Sequence, residues 1–200
     1  MAQTDIADVE KDENGIPLKS PIGSSIMTLG WVSKNRPIPP LPEETRYIEA
    51  GAIRIGVEGR ILNDEITIQN FVSDPEDKEE VERVLASLTP VDDDGLSIHV
   101  FDAESNHEYL RFDMFPKSPH YHYLPLVGDP HYHYTVAYDA AACGNMRTWT
   151  LATLRSNLPS MLVAVGAPEL ADRVDAAAVE SALTEVEAIA LRTKGGVSGA

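Results

Sequence analysis

The sequence predicts an α+β domain: an antiparallel β-sheet of about six strands over roughly residues 46–138, one helix inserted near 74–88, and three or four helices packed from the C-terminal third. Three observations predict it. Apolar and polar residues alternate in short runs as far as Tyr138, the period of a half-buried strand. Beyond Gly144 the apolar residues recur three and four apart, the period of a helix with one buried stripe. The two patterns are largely segregated along the chain, which implies an antiparallel sheet joined to a helical layer.

In chain order, residues 1–25 mix Asp, Glu, Lys, Gly, Ser and Pro without apolar periodicity and read as a flexible acidic arm. Residues 26–194 read as a single domain and 195–200 as a flexible tail. Ile26 to Val32 is apolar enough to pack on the domain. Arg36 to Pro42, with prolines at 37, 39, 40 and 42, is a stiff extended connector laid over it. Tyr47 to Ile61 alternates through Ile53, Ile55 and Val57, and Ile66, Ile68 and Asn70 keep the period after a polar turn at Leu62 to Asp64, which predicts a hairpin. Ser73 or Asp74 then N-caps the inserted helix, Pro75 falls in its first turn, Val81, Val84, Leu85 and Leu88 form its stripe, and Thr89-Pro90 end it.

Leu96, Ile98 and Val100 alternate, as do Leu110, Phe112 and Met114, joined by a polar loop at 103–107. With Val100 facing Leu110, one face of this hairpin is wholly apolar. The same register sets His99 opposite Arg111, Ser97 opposite Asp113 and Phe101 opposite Tyr109, a polar face that is either the wall of a site or, as expected here, a solvated surface. In the helical region Met146, Trp149, Thr153 and Leu154 share a face that Leu151 and Leu158 widen. Pro159 is expected to kink this helix or start another, and Gly166 to cap it. Ala167-Pro168-Glu169 opens a short helix. Asp175 N-caps the last one, whose stripe is Val179, Leu183, Val186 and Ala190, with Arg192 and Lys194 at its C-terminal end.

The most distinctive stretch is Pro119-His120-Tyr121-His122-Tyr123, repeated as Pro130-His131-Tyr132-His133-Tyr134. Four of the six histidines and four of the seven tyrosines lie there. Alternation puts His120 and His122 on one face of a strand, and His131 and His133 likewise, with the tyrosines opposite. Two histidines at i and i+2 have Cα atoms roughly 6.5 Å apart, so both rings can reach one ion, and neutral imidazole suits Zn, Fe, Mn, Ni or Cu. Register decides the rest. His122 opposite His131 keeps all four rings on one face, whereas His122 opposite Tyr132 splits them. The candidate metal ligands are therefore His120, His122, His131 and His133. Tyr121, Tyr132 and Asp113 are the candidate catalytic residues, the tyrosines orienting substrate or bound water. Asp113, Asp139 and Glu108 are candidate further ligands or acceptors for a ligand His N–H, and without metal His120 or His133 serves as a base. The pattern His-x-His also occurs in cupin-type metal sites, but no acidic residue follows either pair in the expected arrangement and no later glycine-rich motif carries another histidine, so no family is assigned.

A competing reading takes the same rings as cross-strand aromatic pairs forming a homodimer or partner interface, a non-catalytic interaction module. Net charge of −16 with no basic cluster argues against nucleic acid and anionic membrane as partners and by itself implies no other partner, while the metal reading allows a metal-dependent enzyme acting on a small molecule. The longest apolar stretch, around Met161 to Ala167, is too short to span a bilayer. Cys143 is the only cysteine, so no intrachain disulfide forms, and it is expected to be buried and inert. With no signal-peptide pattern at Met1 to Asp5, a cytoplasmic location is expected. Gly51, Gly56 and Gly59 precede no helix opening and make no phosphate loop.

Overall fold

The computed structural model describes residues 30–33, 37–87, 92–126 and 133–192. The expected arm and tail, and His131 and Tyr132 of the second repeat, lie outside them. Seven strands form one antiparallel sheet: β1 (Gly30–Ser33), β2 (Thr45–Ala50), β3 (Ile53–Leu62), β4 (Asp93–Asp102), β5 (Glu108–Met114), β6 (His120–Tyr123) and β7 (His133–Ala137). Their order is β1-β7-β6-β5-β4-β3-β2. Strands β2 to β7 match in number the six expected within 46–138, and β1 adds an edge strand from further upstream. Among the described residues the helices are α1 (Asp64–Phe71), α2 (Lys78–Ser87), α3 (Ala140–Cys143), α4 (Met146–Ala164), α5 (Pro168–Ala171) and α6 (Ala176–Ala190).

One face of the sheet is the core. Ile55, Ile98, Leu110 and Phe112 pack against Leu154, Leu158 and Leu162 of α4 and Leu183 and Val186 of α6, all essentially inaccessible to solvent. The stripe Val179, Leu183, Val186 and Ala190 is buried as its spacing demands, and Asp175 caps α6 by accepting from Ala177 N and Ala178 N. Pro159 does not divide α4 and sits on its exposed side.

Three expectations are corrected. Ile66 to Asn70 is helix, not strand: the Asn63 side chain accepts from Ile66 N at 2.9 Å, and Asp64 and Glu65 occupy the positive end. The hairpin closes earlier, within Tyr47 to Ile61, at Gly51 (φ +72°), the left-handed region where glycine carries no Cβ penalty. The inserted helix begins at Lys78, because Asp77 rather than Ser73 or Asp74 accepts from Glu79 N and Glu80 N, while Glu80 reaches back to Ser73 N and Asp74 N.

The third correction concerns the other face of the sheet. The β4–β5 register is the expected one from Leu96↔Met114 to Val100↔Leu110, but a bulge then sets Phe101 opposite Glu108, not Tyr109. This face is not solvated. The proline segment 37–42 lies over it, and the Ile38 carbonyl accepts from Arg60 Nη2 and Arg111 Nη1, both at 2.8 Å. A solvated reading missed this because the cover comes from a segment far away in sequence.

Candidate metal centre

The buried polar face is assembled from alternate residues of five strands, with Glu108 joining it through the bulge. Glu58 and Arg60 come from β3, Ser97 and His99 from β4, Glu108, Arg111 and Asp113 from β5, His120 and His122 from β6, and His133 and Thr135 from β7. The repeat strands pair His122 with Thr135, which is four residues beyond the register that sets His122 against His131. Because side chains alternate with period two, an even slip keeps His120, His122 and His133 on one face. The neighbouring pairing then sets Asp113 opposite His120 and Arg111 opposite His122.

Asp113, His120 and His122 each offer one ligand atom within 4.8 Å of the others, a group that could hold a metal ion. His122 Nε2 lies 3.1 Å and His120 Nε2 3.5 Å from the same oxygen, Asp113 Oδ2. Donor atoms about 2.0–2.2 Å from a tetrahedral ion lie roughly 3.3 Å from each other, so this spacing is that of a coordination edge. The outer nitrogens are held from behind: His120 Nδ1 is 2.6 Å from the Ser118 carbonyl and His122 Nδ1 is 3.1 Å from Thr135 Oγ1. A carbonyl only accepts, so His120 carries its proton on Nδ1. In a neutral ring, Nε2 is then a bare lone pair facing a carboxylate oxygen. Two acceptors face each other there, and a cation between them resolves the conflict.

Both buried partners hold the charge state a metal requires. Burial pushes His122 down to about 4, against a smaller opposing pull from Asp113, so its ring stays neutral. Burial works to raise Asp113, but the hydrogen bond with His122 and the charge of Arg111 outweigh it and hold the carboxyl well below its usual range. Ser97 Oγ donates to the other oxygen, Asp113 Oδ1.

Of the remaining residues with expected roles, His133 is 5% exposed, its ring 4.8 Å from that of His122, and it stands beside the three-residue group rather than within it. Tyr121 is on the opposite, core face, 5.8 Å from Phe112 and 5.4 Å from Trp149 between ring centres, so it is turned away from the histidines. Asp139 caps α3 by accepting from Ala141 N and Ala142 N. Cys143, expected to be buried, is exposed at the end of that helix.

Sequence reasoning did not anticipate the ionic layer beside the cluster. Arg111 clasps Glu108 with Nε (2.8 Å) and Nη2 (2.6 Å). His99 sits between two carboxylates, with Nδ1 2.6 Å from Glu108 and Nε2 3.2 Å from Glu58. Arg60 Nη1 is 3.3 Å from Glu58. A signal existed in β3: Glu58 and Arg60 are charges at alternate positions of a strand whose flanking apolar residues read as core. Beside this layer is a cavity of about 350 Å³, bounded by the proline segment, Tyr47, Phe101, Glu108, Arg111 and His133.

A family model described as "Domain of unknown function (DUF7700)" matches residues 47–190, a span that contains the whole polar face but not the proline segment. No curated protein and no solved structure matches the chain. No helix among the described residues is long and apolar enough to cross a membrane.

Proposed function

We propose that this chain, which belongs to the DUF7700 family, binds a divalent metal ion through Asp113, His120 and His122. The observation that carries the reading is the orientation of the two rings: both turn Nε2 to one carboxylate oxygen, and both have Nδ1 hydrogen-bonded to an oxygen behind them. Outer oxygens of this kind orient ligand histidines, and the Ser118 carbonyl also sets the tautomer of His120. Two histidines and one carboxylate leave coordination positions for water or substrate, as reactive sites do. The donor set suits Fe, Zn or Mn, with Ni and Cu as further candidates. Serving as an interaction surface fits less well, because His122 and His133 are each 5% exposed and backed by partners instead of forming an open aromatic face.

The test is elemental mass spectrometry of the purified, untagged protein beside His120→Ala and Asp113→Asn. Near-stoichiometric metal is expected in the parent and less than about a tenth of it in either variant, since loss of an outer partner alone already costs 10–100-fold in affinity. His120 is the least buried of the three ligands, so its truncation leaves the fold in place. No metal in the parent, and no uptake of Zn, Fe, Mn, Ni or Cu, overturns the proposal.

A further inference from the structure

We propose that the cavity beside the cluster binds a small organic carboxylate, seated on Arg111 under the proline segment. The part of the argument that involves the metal rests on the function proposed above.

Arg111 is 2% exposed and lines the cavity. A guanidinium carries five N–H donors. Three go to Glu108 and the Ile38 carbonyl, which leaves one on each terminal nitrogen for another acceptor. Glu108 also lines the cavity, but Arg111 and His99 already engage it. Pro37, Pro39 and Pro40 against Tyr47 and Phe101 make rigid apolar walls, with Asn106 and His107 as polar lining beside them, a slot suited to a compact hydrocarbon or ring. Arg111 is the only Lys or Arg among the described lining residues and is already paired with Glu108, so the cavity offers two N–H donors but little net positive charge. That favours a carboxylate over a phosphate dianion.

The cavity also adjoins the cluster. Arg111 is the cross-strand partner of His122, and His133 packs on the ring of His122. The layer holds three carboxylates, Glu58, Glu108 and Asp113, against two guanidiniums and His99. Whether or not His99 carries a proton, a divalent ion leaves the layer net positive. An anion entering from the cavity offsets that charge, so metal and carboxylate favour each other's binding.

The experiment uses the full chain, Zn-loaded and metal-free, with benzoate and its neutral analogue benzamide as probes, followed by calorimetry and ligand-observed NMR. The Zn-loaded parent is expected to bind benzoate at least about tenfold tighter than benzamide, and tighter than the metal-free protein does. Arg111→Lys is expected to weaken benzoate binding. If that variant does not fold, Tyr47→Ala at the half-exposed mouth tests the same slot and should weaken benzoate binding several-fold with Zn content unchanged. Stoichiometric Zn with no preference for benzoate, or benzoate binding untouched by Tyr47→Ala, overturns the cavity proposal and leaves the metal reading standing. If no Zn binds, the metal reading falls. In that case benzoate binding that Tyr47→Ala weakens still supports the cavity as a carboxylate site, and no benzoate binding overturns it.

Discussion

Arg111 carries the most consequences of any single side chain. It is buried, pairs in bidentate fashion with Glu108, ties down the proline segment through Ile38 and lines the cavity. Removing one member of a buried pair strands the other charge, so Arg111→Leu is expected to cost about 3–5 kcal/mol in denaturant unfolding. The double variant with Glu108→Leu should recover part of that loss, and strict additivity of the two single variants would refute the pairing. Glu108 also sets an acid limit. Burial works to raise its carboxyl, but the charges of Arg111 and His99 outweigh this and hold it far below 4.5. A carboxyl lowered by folding stabilises above its unfolded pKa, and the contribution is lost as pH falls towards the folded value. Stability of the metal-free protein should therefore drop as pH falls below about 4.5, and drop less steeply in Glu108→Gln, as read by urea midpoints at stepped pH.

At the scale of elements, strand alternation and the closeness of neighbouring strands decide what the sheet tolerates. A Cβ at Gly95 would lie 2.6 Å from the Met114 carbonyl oxygen and 2.7 Å from Phe115 Cδ1. One of these is backbone and cannot swing aside, so Gly95→Ala is expected to destabilise by about 1–3 kcal/mol, visible as a lower urea midpoint. An unchanged midpoint would mean that β4 and β5 can separate at this end. The bulge between Val100 and Phe101 brings the Glu108 carboxylate within reach of both His99 and Arg111 and so forms the buried ion pair. The same alternation explains why His120, His122 and His133 share a face and why Tyr121 faces the helices.

Across the whole molecule the sheet packs its apolar core on the helix side and gathers its buried polar groups on the other. Leu183 is fully buried in the core, so Leu183→Ala should cost about 2–5 kcal/mol while the folded protein keeps its metal. His120→Ala should do the reverse, losing metal while the metal-free melting temperature stays within a few degrees of the parent. Linked losses in both variants would show that the two faces are not separable. The sequence by itself determined what depends on near neighbours: the α+β class, the β4–β5 pairing, the helical stripes of α4 and α6, the Asp175 cap, and the sharing of a face by His120 and His122. Periodicity and capping are local, and they survive into the fold because nothing distant opposes them. It misled at Ile66 to Asn70, where alternating isoleucines fit a strand and Asn63 capped a helix instead. Only the tertiary structure decided that Asp113 meets the two histidines, that Glu58, His99, Glu108 and Arg111 form one ionic layer, and that this layer is covered. Those facts depend on strand order, on an even register slip between β6 and β7, and on a proline segment folding back across 73 residues of chain from Ile38 to Arg111. Such long-range geometry leaves no period or spacing in the sequence to read.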